Sequence, residues 1–149
     1  MAGRSAVPAL RSMFMLLLLL ALLQPALYTR LLPARVAAWF GLDGNPLLFV
    51  ERTWLLGGVA AGALAIGLLV LVILPRLMPA SDPGSERLLR FGLWGAIVTT
   101  AFLMSVVQLV FDTNARTVPR LPMTTLGWLA ASYAGFVGVW AWALRRGGS

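Results

Sequence analysis

Four apolar stretches, each about as long as a bilayer is thick, fill most of the chain. They run from about Ser12 to Leu31, Arg52 to Leu74, Leu88 to Phe111 and Leu121 to Leu144. A hydrocarbon core of about 30 Å needs ~20 helical residues to cross it, and every stretch has that length. The spacing predicts an all-α membrane protein. One domain, 1–149, would hold four transmembrane helices at about 12–31, 52–74, 88–111 and 121–144. Composition points the same way. Hydrophobic residues make up 60% of the chain and charged residues 11%, against about 25% charged in soluble domains. So much apolar surface has one natural partner, the lipid bilayer.

The charged residues are unevenly chosen. All 12 basic residues are arginine, and five acids leave a net charge of +7. In a soluble protein such a balance suggests nucleic acid. Here the arginines stand at the ends of apolar runs, where long basic side chains reach lipid phosphates, and no nucleic-acid partner is expected. The chain has no cysteine and no histidine. Disulfides, thiol redox chemistry, Cys/His zinc sites, imidazole acid–base chemistry and His-ligated haem are all excluded. No metal or cofactor is expected.

Along the chain, Arg4 and Arg11 ahead of the Leu16–Leu20 run mimic a secretory signal. The apolar stretch continues past Gln24 and Pro25 to Leu32, with no good small-x-small cleavage site, so a retained first helix is expected. Pro25 should kink or end it. Tyr28 and Arg30 suit the membrane interface. In the connection 31–52, Leu32, Val36, Trp39 and Phe40 recur at helical spacing and Pro33 suits a first helical turn. A short interfacial amphipathic helix is expected here, after the first span. The turn-forming run Gly41-Leu42-Asp43-Gly44-Asn45-Pro46 follows it.

The second stretch carries small residues at Gly58, Gly62, Ala63 and Gly67. This spacing allows close helix approach in lipid. It could serve a dimer seam or packing within the chain, and packing within the chain is the expected use. Between the second and third stretches, Ser81-Asp82-Pro83 reads as a capped helix start. Gln108 of the third stretch needs a partner in lipid. Either a hydrogen bond between helices or a ligand-lined cavity would satisfy it. Asp112 and Arg116 could pair at i, i+4 if the helix continues. In the fourth stretch Gly127, Ala131, Gly135 and Gly138 suit close packing, and Trp140 and Trp142 read as interfacial anchors.

Arginine placement gives an orientation. Arg4, Arg11, Arg76, Arg87, Arg90, Arg145 and Arg146 would lie on one side, and Arg30, Arg35, Arg52, Arg116 and Arg120 on the other. The positive-inside rule then puts both termini in the cytoplasm. A multi-pass protein of the cytoplasmic (inner) membrane is expected. The five acids, Asp43, Glu51, Asp82, Glu86 and Asp112, all fall at helix ends or in loops. That argues against an exporter built on a mid-membrane carboxylate. No nucleophile–base arrangement appears, so no catalytic residues are assigned and enzyme activity is not expected.

The segment Leu32-Pro33-Ala34-Arg35-Val36-Ala37-Ala38-Trp39-Phe40-Gly41-Leu42-Asp43-Gly44-Asn45-Pro46 resembles the signature of the DUF1648 family of small bacterial membrane proteins. That pattern is Leu-Pro, Arg-Val, a His-Phe pair, a short turn and Gly-x-Pro. Asn114 and Pro119 look like the family's Asn and Pro between its last two helices. The resemblance implies that the first and third connections lie together on the outer face. Its better-known members are immunity proteins against a secreted peptide toxin, so it implies a non-enzymatic sensing or protective role. The motif residues here are Leu32, Pro33, Val36, Phe40, Gly44, Pro46, Asn114 and Pro119. Trp39 stands where the family commonly has His. In the sensing reading the first-connection residues shape a lid and Asn114 braces it from the third connection. Each also has an adequate folding role. The alternative is an accessory subunit of a larger membrane complex, through a membrane-protein partner or a homo-oligomer.

Overall fold

The computed structural model describes residues 6–77, 83–116 and 119–146. Helix α1 spans Val7–Tyr28. Strands β1 (Arg35–Phe40) and β2 (Pro46–Glu51) form an antiparallel pair. Helix α2 follows directly over Arg52–Leu77, then α3 over Pro83–Asn114 and α4 over Met123–Arg146. Among the described residues, four helices are long and apolar enough to cross a membrane. The chain is a multi-pass integral membrane protein.

Helix α1 lies between α2 and α3, and α2 touches α3 only sparsely. Helix α4 leans on α3, and none of its residues is fully buried. Two apolar cores result. One, toward the chain start, gathers Val7, Leu10, Phe14, Val70, Leu89, Leu93 and Ile97. The other lies under the hairpin and joins Leu32, Val36 and Phe111 to Tyr28 and Val50.

The connection after α1 is a β-hairpin, which corrects the expected amphipathic helix. Apolar runs of six residues fit strand and helix alike. The turn between them settles the matter. Five residues, Gly41 to Asn45, separate the strands, and Gly44 takes a positive φ of 79°. A Gly-containing loop of that length closes a hairpin. Val36, Trp39, Phe40, Phe49 and Val50 are residues that favour strands. Pairing runs from Arg35 opposite Glu51 to Phe40 opposite Pro46, with irregularities around Trp39. Pro46 opens β2, a place where a missing N–H is tolerated.

The helix limits also shift. Helix α1 starts at Val7 with a proline in its first turn and passes through Pro25 for one more turn. Thr29 Oγ1 then donates to the Pro25 carbonyl at 2.9 Å. Helix α2 continues to Leu77, past Pro75, by adopting a π-helical stretch over Leu69–Ile73. A proline ring clashes with the carbonyl four residues back, and a wider turn just before it relieves that clash. Helix α3 begins at Pro83 as expected, while its proposed caps Ser81 and Asp82 lie outside the described residues.

The small-residue expectations need correction too. A Cβ on Gly58, Gly62, Gly127, Gly135 or Gly138 would meet no atom within 4 Å. No neighbouring helix approaches at these glycines, whereas Ala63 and Gly67 of the second stretch are buried within the chain as expected. Close approach occurs at Gly67, where a Cβ would stand 2.5 Å from Leu18, and at Gly95, 3.2 Å from the Trp140 ring. Trp140 is therefore an inter-helix packing residue. Its Nε1 donates to the Phe91 carbonyl at 3.1 Å. Trp142 remains exposed with the Arg146 guanidinium 4.1 Å from its ring centroid.

Candidate functional site

The hairpin and the third connection are joined into one cap at the end of the bundle. Asn114, the last residue of α3, is 4% exposed. Its Oδ1 accepts from the Ala37 N–H at 2.6 Å, and its Nδ2 donates to the Ala37 carbonyl at 2.9 Å. One carboxamide thus pairs with both backbone groups of a β1 residue, as a neighbouring strand would. The same Nδ2 reaches the Val110 carbonyl of its own helix at 2.9 Å. This is the bracing role expected for Asn114.

Gly44 makes the second tie. Its carbonyl accepts from the Leu121 N–H at 2.9 Å. A side chain at Gly44 would collide with the Leu121 carbonyl, so the positive φ and the close approach both demand glycine. Within the turn, Gly41 N–H donates to the Asn45 carbonyl at 2.8 Å. Asp43 Oδ1 accepts from the Asn45 N–H at 3.1 Å. The Asn45 backbone and side-chain amides together hold the exposed Asp43 carboxyl below its ordinary 3.8.

A third tie was missed in the sequence. Arg52, read there only as a basic residue at a helix end, donates from Nη1 to the Leu32 carbonyl at 2.9 Å. Its N–H reaches the Ala34 carbonyl at 2.9 Å. Of the remaining motif residues, Leu32 and Val36 are buried in the upper core. Phe40, Pro46 and Pro119 are half-buried and Pro33 is exposed. Trp39 points outward at 67% exposure, opposite exposed Leu48 in the hairpin, and Leu42, Leu47 and Trp54 are exposed as well. The motif therefore splits into residues that fix the cap and an apolar surface the cap displays.

Beneath the cap, a polar ladder crosses from α1 to α3. Gln24 Nε2 donates to Gln108 Oε1 at 2.8 Å and to the Met104 carbonyl at 3.3 Å. Gln108 Nε2 donates to the Tyr28 hydroxyl and, at 3.1 Å, to Asp112 Oδ1. Tyr28 in turn donates to Asp112. Gln108 thus makes the inter-helix hydrogen bond that was one of its two expected uses. Asp112 turns inward to Tyr28 rather than toward Arg116, because α3 ends at Asn114 and does not carry the i, i+4 spacing onward. Gln24 had no visible signal in the sequence beyond its place before Pro25. Among the described residues no group of three His, Cys, Asp or Glu gathers to hold a metal ion.

The chain matches no protein-family model, no curated protein and no solved structure.

Proposed function

We propose that this is a non-enzymatic membrane protein of DUF1648 type that binds a peptide or protein ligand at the outer face of the cytoplasmic membrane. Both termini would then lie in the cytoplasm. The carrying observation is the cap. Asn114, Gly44 and Arg52 clamp the hairpin to α2, α3 and the third connection. On that rigid support Trp39, Leu42 and Leu48 stand exposed. Exposed aromatic and aliphatic side chains on a pre-organised frame lose little entropy when a partner covers them.

The test separates display from folding. Trp39→Ala and Leu48→Ala should keep wild-type protein levels yet lower survival under peptide-toxin or envelope stress. Phe40→Ala, Gly44→Ala and Asn114→Ala should lower both. If deleting the whole gene leaves survival unchanged, the protective reading is wrong.

A second reading, an accessory subunit of a larger complex, draws on α2 and α4. Gly57, Gly58 and Gly62 have no neighbour within 4 Å of a Cβ, and Trp54 beside them is 76% exposed. A discrete hetero-complex after mild detergent extraction supports this reading, and a lone chain argues against it.

A further inference from the structure

Between the two apolar cores, α1, α2 and α3 leave a recess of about 170 Å³. Its lining includes Ala21, Gln24, Gly62, Thr100, Leu103 and Met104, and no lining residue is charged. It opens sideways toward lipid, where Gly62 and Leu103 are exposed. For scale, an engineered apolar cavity of ~150 Å³ holds benzene. The enclosed part therefore seats a short length of hydrocarbon and leaves the rest of a chain free to run out among the lipids.

Two polar groups in this apolar recess have spare hydrogen-bonding capacity. Thr100 is 3% exposed, and its Oγ1 is a buried side-chain oxygen with no partner. Leaving such a group unpaired costs roughly 1–3 kcal/mol. Helical Thr usually bonds a carbonyl of its own preceding turn, and this one does not. Gln24 is 7% exposed. The Met104 carbonyl can only accept, so the atom facing it must be Nε2. That fixes the amide orientation, and none of the described bonds uses Gln24 Oε1. Thr100 lies about 21 Å along α3 from Asn114 at 1.5 Å per residue, deep in the hydrocarbon.

We propose that this recess binds a neutral long-chain alcohol, whose hydroxyl satisfies Thr100 and Gln24 and whose chain exits past Gly62 and Leu103. The absence of charge in the lining excludes a phosphate headgroup. A hydroxyl both donates and accepts. It can give its proton to Gln24 Oε1 while accepting from Thr100. An ester or ketone oxygen only accepts and would leave Gln24 Oε1 unmet. This site is independent of the cap and of any ligand there.

The test uses the full-length protein in phosphatidylcholine vesicles with a diazirine-bearing pentadecanol, and maps the labelled residues by peptide mass spectrometry. Labels should concentrate on the stretches of α2 and α3 that hold Gly62 and Thr100. Unlabelled decanol should compete about fivefold better than methyl decyl ether, the advantage expected from the one added hydrogen bond to Gln24, and by a larger factor than decane, which makes neither bond. Thr100→Val should cut the advantage over decane to the part owed to Gln24, about fivefold, and Thr100→Ser should restore the rest. Gly62→Leu should abolish labelling, and since a Cβ there meets nothing, the fold should persist. A methyl-branched competitor outperforming decanol would assign an isoprenoid chain, and the reverse a straight one; either supports the site. Labelling as dense on α4, equal competition by decanol and decane, cross-links only to a second copy, or no effect of Thr100→Val would overturn it.

Discussion

At the scale of single residues, the cap depends on side chains whose roles are hard to replace. Asn114→Ala would strip both backbone groups of Ala37, itself fully buried, of their partner. Each unsatisfied buried group costs about 1–3 kcal/mol. The expected loss is therefore at least ~2 kcal/mol in reversible unfolding, with faster hydrogen exchange at the Ala37 amide. Asn114→Asp should fare no better, because it keeps an acceptor for the Ala37 N–H but sets a second oxygen against the Ala37 carbonyl. Gly44 allows a finer distinction. If its positive φ were the whole requirement, Gly44→Asn would be tolerated, since Asn adopts the left-handed region readily. The Leu121 carbonyl blocks any Cβ there, so Gly44→Asn and Gly44→Ala should both lower the unfolding midpoint. Asp43 adds a pH dependence to the same turn. Its carboxyl is held low by the Asn45 amides, so the contribution is complete above the ordinary aspartate value and disappears as pH falls through the lower folded value. Exchange at the Asn45 amide should therefore quicken only in that acid range. Asp43→Asn should remove the pH dependence while keeping an acceptor for Asn45.

At the scale of elements, the polar ladder between α1 and α3 makes a prediction with a defined sign. Gln24→Leu or Gln108→Leu alone leaves the other amide short of a partner in an apolar setting. The double replacement removes both needs at once and should be less damaging than the sum. Double-mutant cycles in membrane bundles average about 0.6 kcal/mol and reach about 1.7, and a coupling in that range is expected from unfolding in mild detergent. The elements themselves were unequally legible. The four spans could be read because lipid demands long unbroken apolar helices. Their limits could not, because Pro25 and Pro75 look like stops, yet α1 runs on to Tyr28 and α2 to Leu77, the latter through the π-helical stretch ahead of Pro75. The hairpin was misread because Leu32, Val36, Trp39 and Phe40 satisfy a helical period by chance. The deciding signal is the Gly-containing turn beside them, which closes a hairpin as readily as it follows a helix. Gly58 and Gly62 had the right spacing for close packing, yet spacing says nothing about which helix arrives. Asn114 stands out in the sequence as a polar residue just past the third apolar stretch. Arg52 and Gln24 had no sequence signal that separated them from other residues at span ends.

At the scale of the whole molecule, the cap settles which segments share a side without saying which side it is. The Asn114–Ala37 and Gly44–Leu121 bonds hold the first and third connections together. Four crossings then put the second connection and both termini at the opposite end of the bundle. In the proposed orientation, which rests on seven arginines against five, that opposite end faces the cytoplasm. Because the chain has no cysteine, single introduced thiols give a clean readout. Leu42 at 95% exposure marks the hairpin tip, and Leu77 at 73% marks the far end of α2. In intact cells a membrane-impermeant maleimide should label Leu42→Cys and Arg120→Cys at once, and should label Leu77→Cys only after permeabilisation. Moving the arginine balance should turn the molecule over as a unit. Neutralising Arg145 and Arg146 together leaves five on each side and removes the bias. Leu42→Cys and Arg120→Cys should then lose external labelling in parallel while Leu77→Cys gains it in the same fraction of molecules. The cap cannot divide between two faces, so unequal fractions at Leu42 and Arg120 would contradict the shared-face architecture itself.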